Sequence, residues 1–385
     1  MKLKNIIRGI KNARVTGNQN IEISSIKIDT AKIEPGDLFV CLRGSTVDSH
    51  DLVSEAIERG AVAVICEKHL DYPIIQVLVD NSRQALSAAA ANYYNNPSKS
   101  LKIISIVGTN GKSTTAYLLN KVFRAAGCKT ALIGTIEYDI DGVKFPALLT
   151  TPDPLELQEL MRKMADCDVE YLFMEVSAHS IFYDKVYSIL NKAIIFTNFS
   201  QDHLDFFKDM QHYSEVKKSY FNINNGLLGV INIDDNLGLD ILRESKMPML
   251  TYGINNPADV FAIDIKSSEQ GLNFVLNMFD IVEKINSGMC GMFNVYNMLA
   301  VCTVAGYMGI PLSYIKSVLE KDWYVPGRFN ITNHNGYSLV IDYAHTEDGL
   351  LNLLQSARVL CKEKKANNGI RLRRQPRQRK TLKNG

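Results

Sequence analysis

The sequence predicts an α/β protein whose central domain is built on a mostly parallel sheet. Short apolar strands alternate with helical stretches along most of the chain, as is typical of parallel sheets covered by helices. The β-branched run 103–107 breaks into the glycine-bounded segment 108–111, and a helix is predicted over 113–126. A strand that feeds a helix through such a loop predicts a phosphate-binding turn, because free N–H groups at a helix N-terminus favour an anion.

The composition excludes several other classes of protein. The chain of 385 residues, 46% hydrophobic and 22% charged, is typical of a globular protein with two or three domains. It has no apolar stretch long enough to span a bilayer, and its N-terminus lacks the apolar core of a signal peptide. The seven cysteines are scattered without a CxxC pair. This pattern argues against a disulfide scaffold and a zinc site, and favours a protein of the reducing cytoplasm.

The remaining elements follow in order. The first hundred residues predict a small α/β unit, with strands at 21–28, 37–42, 62–66 and 74–79, helices at 52–59 and 85–94, and a linker at 95–98. Beyond the loop we expect strands at 129–133, 171–176, 193–197 and 229–233, with a helix at 155–165. An antiparallel excursion at 260–265 and 272–278 precedes helices at 294–308 and 312–319, a break at 325–328 and a strand at 337–341.

The phosphate loop supplies the first candidate site residues. Gly108 and Gly111 allow close approach of the backbone, Lys112 brings a charge near terminal phosphates, and the Ser113 hydroxyl suits a magnesium ion. The glycine spacing departs from the general P-loop pattern, so a plain glycine turn with a solvated lysine is the alternative.

Polar residues collect after two predicted strands, at the edge where an open sheet binds its ligands. Glu175 lies at the end of one strand and His203 follows the other, and together they could hold magnesium ions that bridge phosphate oxygens. The alternative for Glu175 is a surface or capping acid, and the alternative for His203 is a hydrogen-bonded polar residue at the start of a helix. Lys217 and Lys218 resemble solvated lysines on a helix face by pattern alone. No G-x-S-x-G turn surrounds Ser177, which argues against nucleophilic catalysis.

Ten segments together resemble one family. They are PGDLFVCLRG at 35–44, DSHD at 48–51, GTNGKST at 108–114, TTPDP at 150–154, MEVSAHS at 174–180, TNFSQDHLDF at 197–206, VKKSYF at 216–221, GMFNVYN at 291–297, VPGRF at 325–329 and DYAHTEDGL at 342–350. In this order they resemble the ATP-dependent Mur ligases, and within them the UDP-N-acetylmuramoyl-tripeptide synthetase (MurE-type) branch.

The resemblance implies a reaction and a domain plan. Such ligases join a diamino acid, meso-diaminopimelate or L-lysine, to UDP-MurNAc-L-Ala-D-Glu through an acyl phosphate, with ATP cleaved to ADP and phosphate. The implied domains are a UDP-substrate domain at 1–99, a central ATP-binding domain with a parallel-sheet P-loop fold at 100–324, and the start of a Rossmann-like third domain at 325–361. The fold class is thus α/β with three domains, the third incomplete. The reaction belongs to the cytoplasm, with no nucleic acid or membrane as partner.

The resemblance also assigns residues. The implied catalytic residues are Lys112, Glu175, His203 and Lys217, and the implied ligands of two magnesium ions are Ser113, Glu175, His203 and a carbamate on Lys217, with Lys218 as the alternative by one position. The implied ATP contacts are Gly108, Thr109, Asn110, Gly111, Lys112, Ser113, Thr114, Asn294, Asn297, Arg328 and Asp342. The implied UDP-substrate contacts are Thr30, Thr150, Thr151, Ser177 and Lys185.

Four positions depart from the family pattern, which makes the UDP-substrate contacts less certain than the ATP contacts. The family has serine and arginine at the positions of Thr30 and Ala31, a second serine at that of Ala178 and arginine at that of Lys185. Lysine keeps the charge but loses the bidentate fork of arginine.

The C-terminal segment 362–385 stops resembling the family. It carries ten lysines or arginines and one acid, a charge of +9 against −7 for the rest of the chain, and without apolar periodicity it is predicted to be disordered. A frameshift in the coding DNA between about codons 362 and 369 would explain why this segment no longer resembles the family. The product is then expected to lack the amine-binding part of the third domain and to bind nucleotide only, as a catalytically impaired remnant. A folylpolyglutamate-synthetase-like ligase and an RNA-binding tail are further alternatives.

Overall fold

The first hundred residues form an α/β unit around a five-stranded sheet. The computed structural model describes residues 1–44, 46–222, 225–268, 270–321, 324–334 and 337–361. The strands of this sheet are β1 (Arg14–Thr16), β2 (Ile26–Lys27), β3 (Leu38–Val40), β4 (Ala63–Cys66) and β5 (Ile75–Leu78), and its helices are α1 (Leu3–Ile6), α2 (Val53–Glu58) and α3 (Ser82–Tyr93). The order is β1-β5-β4-β3-β2, with only the β1–β5 pair antiparallel. The strand predicted at 21–28 is reduced to the two residues of β2.

The central sheet is larger and carries the phosphate loop. Its strands are β6 (Lys102–Val107), β7 (Thr130–Ile133), β8 (Glu137–Ile140), β9 (Val143–Pro146), β10 (Tyr171–Val176), β11 (Ala193–Phe196), β12 (Gly229–Asn232), β13 (Met249–Gly253), β14 (Val260–Ser268), β15 (Gly271–Met278) and β16 (Ile281–Ser287). The order is β16-β15-β14-β13-β12-β11-β6-β10-β7-β8-β9. The pairs from β14 to β7 are parallel and those at both ends antiparallel, so the predicted parallel centre and the predicted antiparallel excursion are confirmed.

Helices cover both faces of this sheet. They are α4 (Lys112–Ala125), α5 (Pro154–Asp166), α6 (Ala178–Phe182), α7 (Met210–Ser219), α8 (Asn236–Glu244), α9 (Met292–Tyr307) and α10 (Leu312–Leu319). Two large hydrophobic clusters, one on each face, make β6 a strand buried on both sides, which explains why its sequence is a continuous apolar run. Helix α9 is buried over most of its circumference, between α4 and the sheet, and accordingly has few polar positions.

The last described segment is a hairpin and a helix. Strands β17 (Asn330–His334) and β18 (Tyr337–Ile341) pair antiparallel, and α11 (Glu347–Cys361) follows. The strand predicted at 337–341 is confirmed, and the disorder predicted for 362–385 falls outside the described residues. No helix within the described part of the chain is long and apolar enough to cross a membrane.

Candidate active site

The phosphate loop joins β6 to α4 at the carboxyl edge of the central sheet, in the middle of the strand order. Gly111 precedes α4 with a φ of +85°, a conformation that L side chains rarely adopt, and a Cβ there would meet Oδ1 of Asn297. A Cβ on Gly108 would meet Oγ1 of Thr197. Both glycines are therefore required by close packing as well as by backbone conformation.

The Lys112 side chain folds over this loop. Its Nζ donates to the carbonyl oxygens of Gly108 at 2.9 Å and Thr109 at 2.8 Å. Burial lowers the pKa of Lys112 below its ordinary value, while the charge of Glu175 opposes that shift. The loop thus holds a cation directly at the N-terminus of α4, where a phosphate group would bind.

Glu175 faces the loop from the neighbouring strand β10. Its Oε2 accepts a hydrogen bond from the Ser113 hydroxyl at 2.9 Å, and Arg328 Nη2 donates to the same hydroxyl oxygen at 3.0 Å. The Thr135 backbone N–H donates to Oε1 of Glu175 at 2.9 Å. The side chain is 1% exposed, so a carboxylate and a hydroxyl meet in a buried position beside the phosphate loop.

Lys217 and Lys218 are neighbours on α7 but have different surroundings. Lys217 is 1% exposed, and its Nζ donates to Thr109 Oγ1 at 3.2 Å and lies 4.5 Å from the centroid of the Tyr213 ring. Burial, with a further contribution from Lys112, lowers the pKa of Lys217 well below its ordinary value. Lys218 pairs instead with Glu244 on the surface, at 2.9 Å. Geometry therefore brings Lys217, and not Lys218, to the loop.

His203 lies near the Tyr213 ring that Lys217 also contacts, with 6.1 Å between the two ring centroids. Its φ is +55°, its ring packs edge-on against His179 at 4.8 Å between centroids, and its Nε2 is 3.3 Å from Oδ2 of Asp202. Burial lowers the pKa of His203, which favours the neutral imidazole, and the Asp202 carboxylate opposes this.

Two of the predicted ATP contacts, Asn294 and Asn297, lie on α9. Asn297 accepts from the Thr115 hydroxyl at 3.3 Å and donates to Oδ1 of Asn294 at 3.0 Å, and Asn294 donates to the Cys290 carbonyl at 2.8 Å. In the third segment, residues 325–361, Asp342 accepts from the backbone N–H of Phe329 at 2.7 Å and from that of Ala344. These bonds fix the chain around Arg328.

The predicted UDP-substrate residues divide into two groups. Thr151 donates to the Glu175 carbonyl at 2.9 Å and accepts from the Ser177 N–H at 3.1 Å, and the Thr150 hydroxyl lies 3.1 Å from that of Thr135. Lys185 pairs with Asp153 at 2.7 Å. Thr30, in contrast, is buried in a short turn of the N-terminal unit.

One cavity of about 610 Å³ gathers most of these side chains. The predicted residues that line it are Thr109, Asn110, Gly111, Lys112, Ser113, Thr114, Thr150, Thr151, Glu175, Ser177, Lys185, His203, Asn297, Arg328 and Asp342. Thr30, Gly108, Lys217 and Asn294 are not among its lining residues, although Lys217 reaches it through Thr109.

Sequence reasoning assigned no role to several lining residues, notably Thr135, Asp202, His345 and Asp348. Thr135 lies two residues after the end of β7, and Glu175 is the penultimate residue of β10, so the rule that identified Glu175 at a strand end could also have found Thr135. Asp348 accepts from Nδ2 of Asn110 at 3.0 Å, a contact between residues 238 apart for which the sequence carries no signal.

Within the described residues, no group of three or more His, Cys, Asp or Glu side chains is placed to hold a metal ion. Of the predicted metal ligands near the loop, Ser113 and Glu175 offer hard oxygens, which suit Mg²⁺, and His203 offers an imidazole, which suits it less. Lys217 as an ammonium has no lone pair to offer. The residues fit one magnesium ion as they stand, and a second only if Lys217 is modified to an oxygen donor.

Comparisons with known proteins give the same family for both parts of the chain. The model described as Mur ligase family, catalytic domain, matches residues 22–105, and the Mur ligase middle domain matches residues 106–305. The UDP-N-acetylmuramoyl-L-alanyl-D-glutamate--2,6-diaminopimelate ligase of Clostridium botulinum is 40% identical over 372 residues, which cover 94% of this chain and 76% of that protein. The ligase of the same name from Caldanaerobacter subterraneus is 39% identical over 359 residues, covering 92% and 74%.

Solved structures share the fold. The structure of a UDP-N-acetylmuramoyl-L-alanyl-D-glutamate--2,6-diaminopimelate ligase superposes with a TM-score of 0.80 at 24% identity, covering 94% of this chain and 75% of that chain. MurF from Thermotoga maritima in complex with ADP gives a TM-score of 0.59 at 20% identity, covering 88% and 75%. Both likenesses concern the fold.

Proposed function

Since the chain belongs to the Mur ligase family, we propose that it is an ATP-dependent ligase that adds 2,6-diaminopimelate to UDP-MurNAc-L-Ala-D-Glu in peptidoglycan precursor synthesis. The names of the similar curated ligases favour diaminopimelate over lysine. Because the reaction consumes ATP, we assign it to the cytoplasm.

The single observation that carries the proposal is the meeting of Ser113 and Glu175 at 2.9 Å beside the phosphate loop. A hydroxyl at the start of a helix and a buried carboxylate on the adjacent strand form the oxygen pair that a nucleotide-bound magnesium ion requires. Lys112 adds the charge that a terminal phosphate needs. Arg328, which donates to the Ser113 hydroxyl from the third segment, adds a second cation beside the phosphate loop.

We propose that Lys217 carries a carbamate. Its lowered pKa favours the neutral amine, whose lone pair adds to CO₂ with release of a proton. The product replaces an amine that forms no ion pair with a carboxylate among the described residues by an anion with two oxygen donors. Those oxygens, with His203, would complete a second magnesium site.

The chemistry of the chain's own residues follows from these positions. Lys112 and Arg328 screen the charges of the γ-phosphate and the attacking substrate carboxylate, so that two anions can meet. Bound magnesium would supply further stabilisation of the transferring phosphoryl group. Thr150, Thr151, Ser177 and Lys185, at the same cavity, would orient the UDP-linked dipeptide. The substrate carboxylate attacks the γ-phosphate to form an acyl phosphate, and ADP leaves. The diamino acid amine then attacks the carbonyl carbon of the acyl phosphate, and phosphate and a proton are released.

The proposal is tested with the 385-residue chain by three separate measurements. ADP and ATP binding are measured by calorimetry with and without Mg²⁺, phosphate release is followed with UDP-MurNAc-L-Ala-D-Glu, and the tripeptide product is detected by mass spectrometry with diaminopimelate or lysine. We expect Mg²⁺-dependent nucleotide binding, and substrate-dependent phosphate release that Lys112→Met abolishes. Amide formation with diaminopimelate supports the full function. Nucleotide binding without phosphate release or amide would leave the alternative of a nucleotide-binding remnant.

A further inference from the structure

Thr135 makes contacts on both sides of the active site. Its backbone N–H donates to Oε1 of Glu175 at 2.9 Å, and its hydroxyl donates to Oε2 at 3.1 Å. The same hydroxyl oxygen lies 3.1 Å from the hydroxyl of Thr150. Thr135 thus touches the carboxylate beside the phosphate loop and a threonine on the substrate side of the cavity.

The direction of these hydrogen bonds is fixed by counting hydrogens. A hydroxyl has one hydrogen to donate, and a carboxylate can only accept. Since Thr135 uses its hydrogen on Glu175, the Thr150 hydroxyl must be the donor in the bond between the two threonines. The chain therefore runs from Thr150 to Thr135 to Glu175, and Ser113 donates to the same oxygen of Glu175.

The fold places Thr135 next to Glu175. Strand β7 pairs in parallel with β10, with Ile133 opposite Met174, so Gly134 and Thr135, which follow β7, lie beside Glu175. Gly134 leaves no room for a side chain, because a Cβ there would meet the Glu175 carboxylate. A backbone N–H and a hydroxyl thereby hold the Glu175 carboxylate in one orientation. Hydrogen bonds of this kind commonly orient the side chains that bind a metal ion.

We propose that Thr135 is a positioning residue that couples occupancy of the UDP-substrate side of the cavity to the metal-binding orientation of Glu175. A substrate group that takes the Thr150 hydrogen would remove the bond to Thr135, and one that donates to Thr150 would strengthen the chain. In either case substrate binding changes how firmly Glu175 is held. This inference rests on the proposed function, because it takes Glu175 as a magnesium ligand and Thr150 as a substrate contact.

The test measures binding as well as turnover. ADP affinity is measured by calorimetry over a range of Mg²⁺ concentrations, with and without UDP-MurNAc-L-Ala-D-Glu, for the wild type, Thr135→Val and Thr135→Ser. Valine keeps the shape and the backbone N–H but loses the hydroxyl, whereas serine keeps it. We expect the substrate to change the ADP affinity of the wild type about fivefold or more, a usual size for coupled sites. In Thr135→Val this ratio should approach one and more Mg²⁺ should be needed, while Thr135→Ser should restore both.

Thr251→Val is the matched control. Thr251 donates both its N–H, at 2.8 Å, and its hydroxyl, at 2.7 Å, to the Asp259 carboxylate, so valine removes the same kind of bond outside the cavity. It should leave the coupling and the Mg²⁺ dependence unchanged. Wild-type coupling in Thr135→Val, or an equal loss in Thr251→Val, overturns the role of Thr135. A wild type that binds Mg²⁺–ADP but not the UDP substrate would instead count against the proposed function. Even then, an unchanged Mg²⁺ requirement for ADP binding in Thr135→Val would overturn the proposal that Thr135 positions Glu175.

Discussion

Lys217 donates a 3.2 Å hydrogen bond to the Thr109 hydroxyl of the phosphate loop, although its side chain is 1% exposed. A buried ammonium normally has a carboxylate partner, since burying an unpaired charge is costly. Among the described residues no carboxylate lies within 4.0 Å of this nitrogen, and the charges of Asp202 and Asp235 act on it only from a longer distance. The arrangement is consistent with an amine that is neutral or modified at physiological pH.

Replacing Lys217 by arginine should abolish carbamate formation. Arginine stays protonated and has no free amine to add to CO₂. Protein equilibrated with ¹³C-labelled bicarbonate should give a carbamate carbon signal by NMR in the wild type and none in Lys217→Arg. ATP-dependent phosphate release should fall with the signal.

Lys218→Arg is the control, because this neighbouring lysine is paired with Glu244 on the surface. It should keep both the carbon signal and the phosphate release. A carbamate signal that disappears in Lys218→Arg and persists in Lys217→Arg would reverse the assignment.

Substitution of Gly111 by alanine should reduce nucleotide affinity beyond its effect on stability. Gly111 and Gly127 have nearly the same φ, +85° and +87°, but a Cβ meets Asn297 at the first position and open space at the second. Both variants should lose about 1 kcal/mol of unfolding free energy through backbone strain. Only Gly111→Ala should also bind ADP more weakly in calorimetry, because the loop must shift away from Asn297. Equal ADP affinities in the two variants would contradict this.

The part of the site that the sequence could predict is the part set by local pattern and strand order, and contacts between residues far apart in the sequence were missed. The order of strands and loops placed Lys112, Ser113 and Glu175 at one sheet edge, because residues that follow parallel strands must meet there. The sequence pattern of α7 did not distinguish Lys217 from Lys218, since burial on a helix depends on what packs against it. The contact of Asn110 with Asp348 depends on how the third segment packs on the loop, which no local pattern encodes. The short strands β8 and β9 were missed because they alternate too briefly to stand out.

Arg328→Lys should raise the KM for ATP. The guanidinium donates to the Ser113 hydroxyl at 3.0 Å and lies 5.0 Å from the centroid of the Tyr343 ring, and lysine retains the charge but neither the fork nor the planar stacking. Loss of one hydrogen bond from a charged group, typically about 1.5–3 kcal/mol, predicts an increase of about 10- to 100-fold. Steady-state kinetics of phosphate release measure it. Arg59→Lys, which alters an exposed pair with Glu55, should leave KM unchanged.

The last prediction concerns pH and the contact between the N-terminal and central sheets. The Asp184 carboxylate accepts from Asn81 at 3.2 Å and Gln84 at 3.3 Å, and burial raises its pKa above the ordinary value despite these bonds. A carboxyl group with a raised pKa in the folded state binds a proton more tightly there than in the unfolded chain, so its ionisation lowers the unfolding free energy as pH rises. Asp184→Asn should therefore be more stable than the wild type at pH 7.

This advantage should shrink as pH falls towards 4, because the protonated aspartic acid then resembles the amide. Urea unfolding of both proteins across that range measures the difference. Asparagine also tolerates the left-handed backbone better than aspartate. Asp168→Asn controls for this effect, since Asp168 has a φ of +56°, close to the +53° of Asp184, and an exposed carboxylate. A pH-independent gain of equal size in both variants would attribute the stabilisation to the backbone rather than to the buried charge.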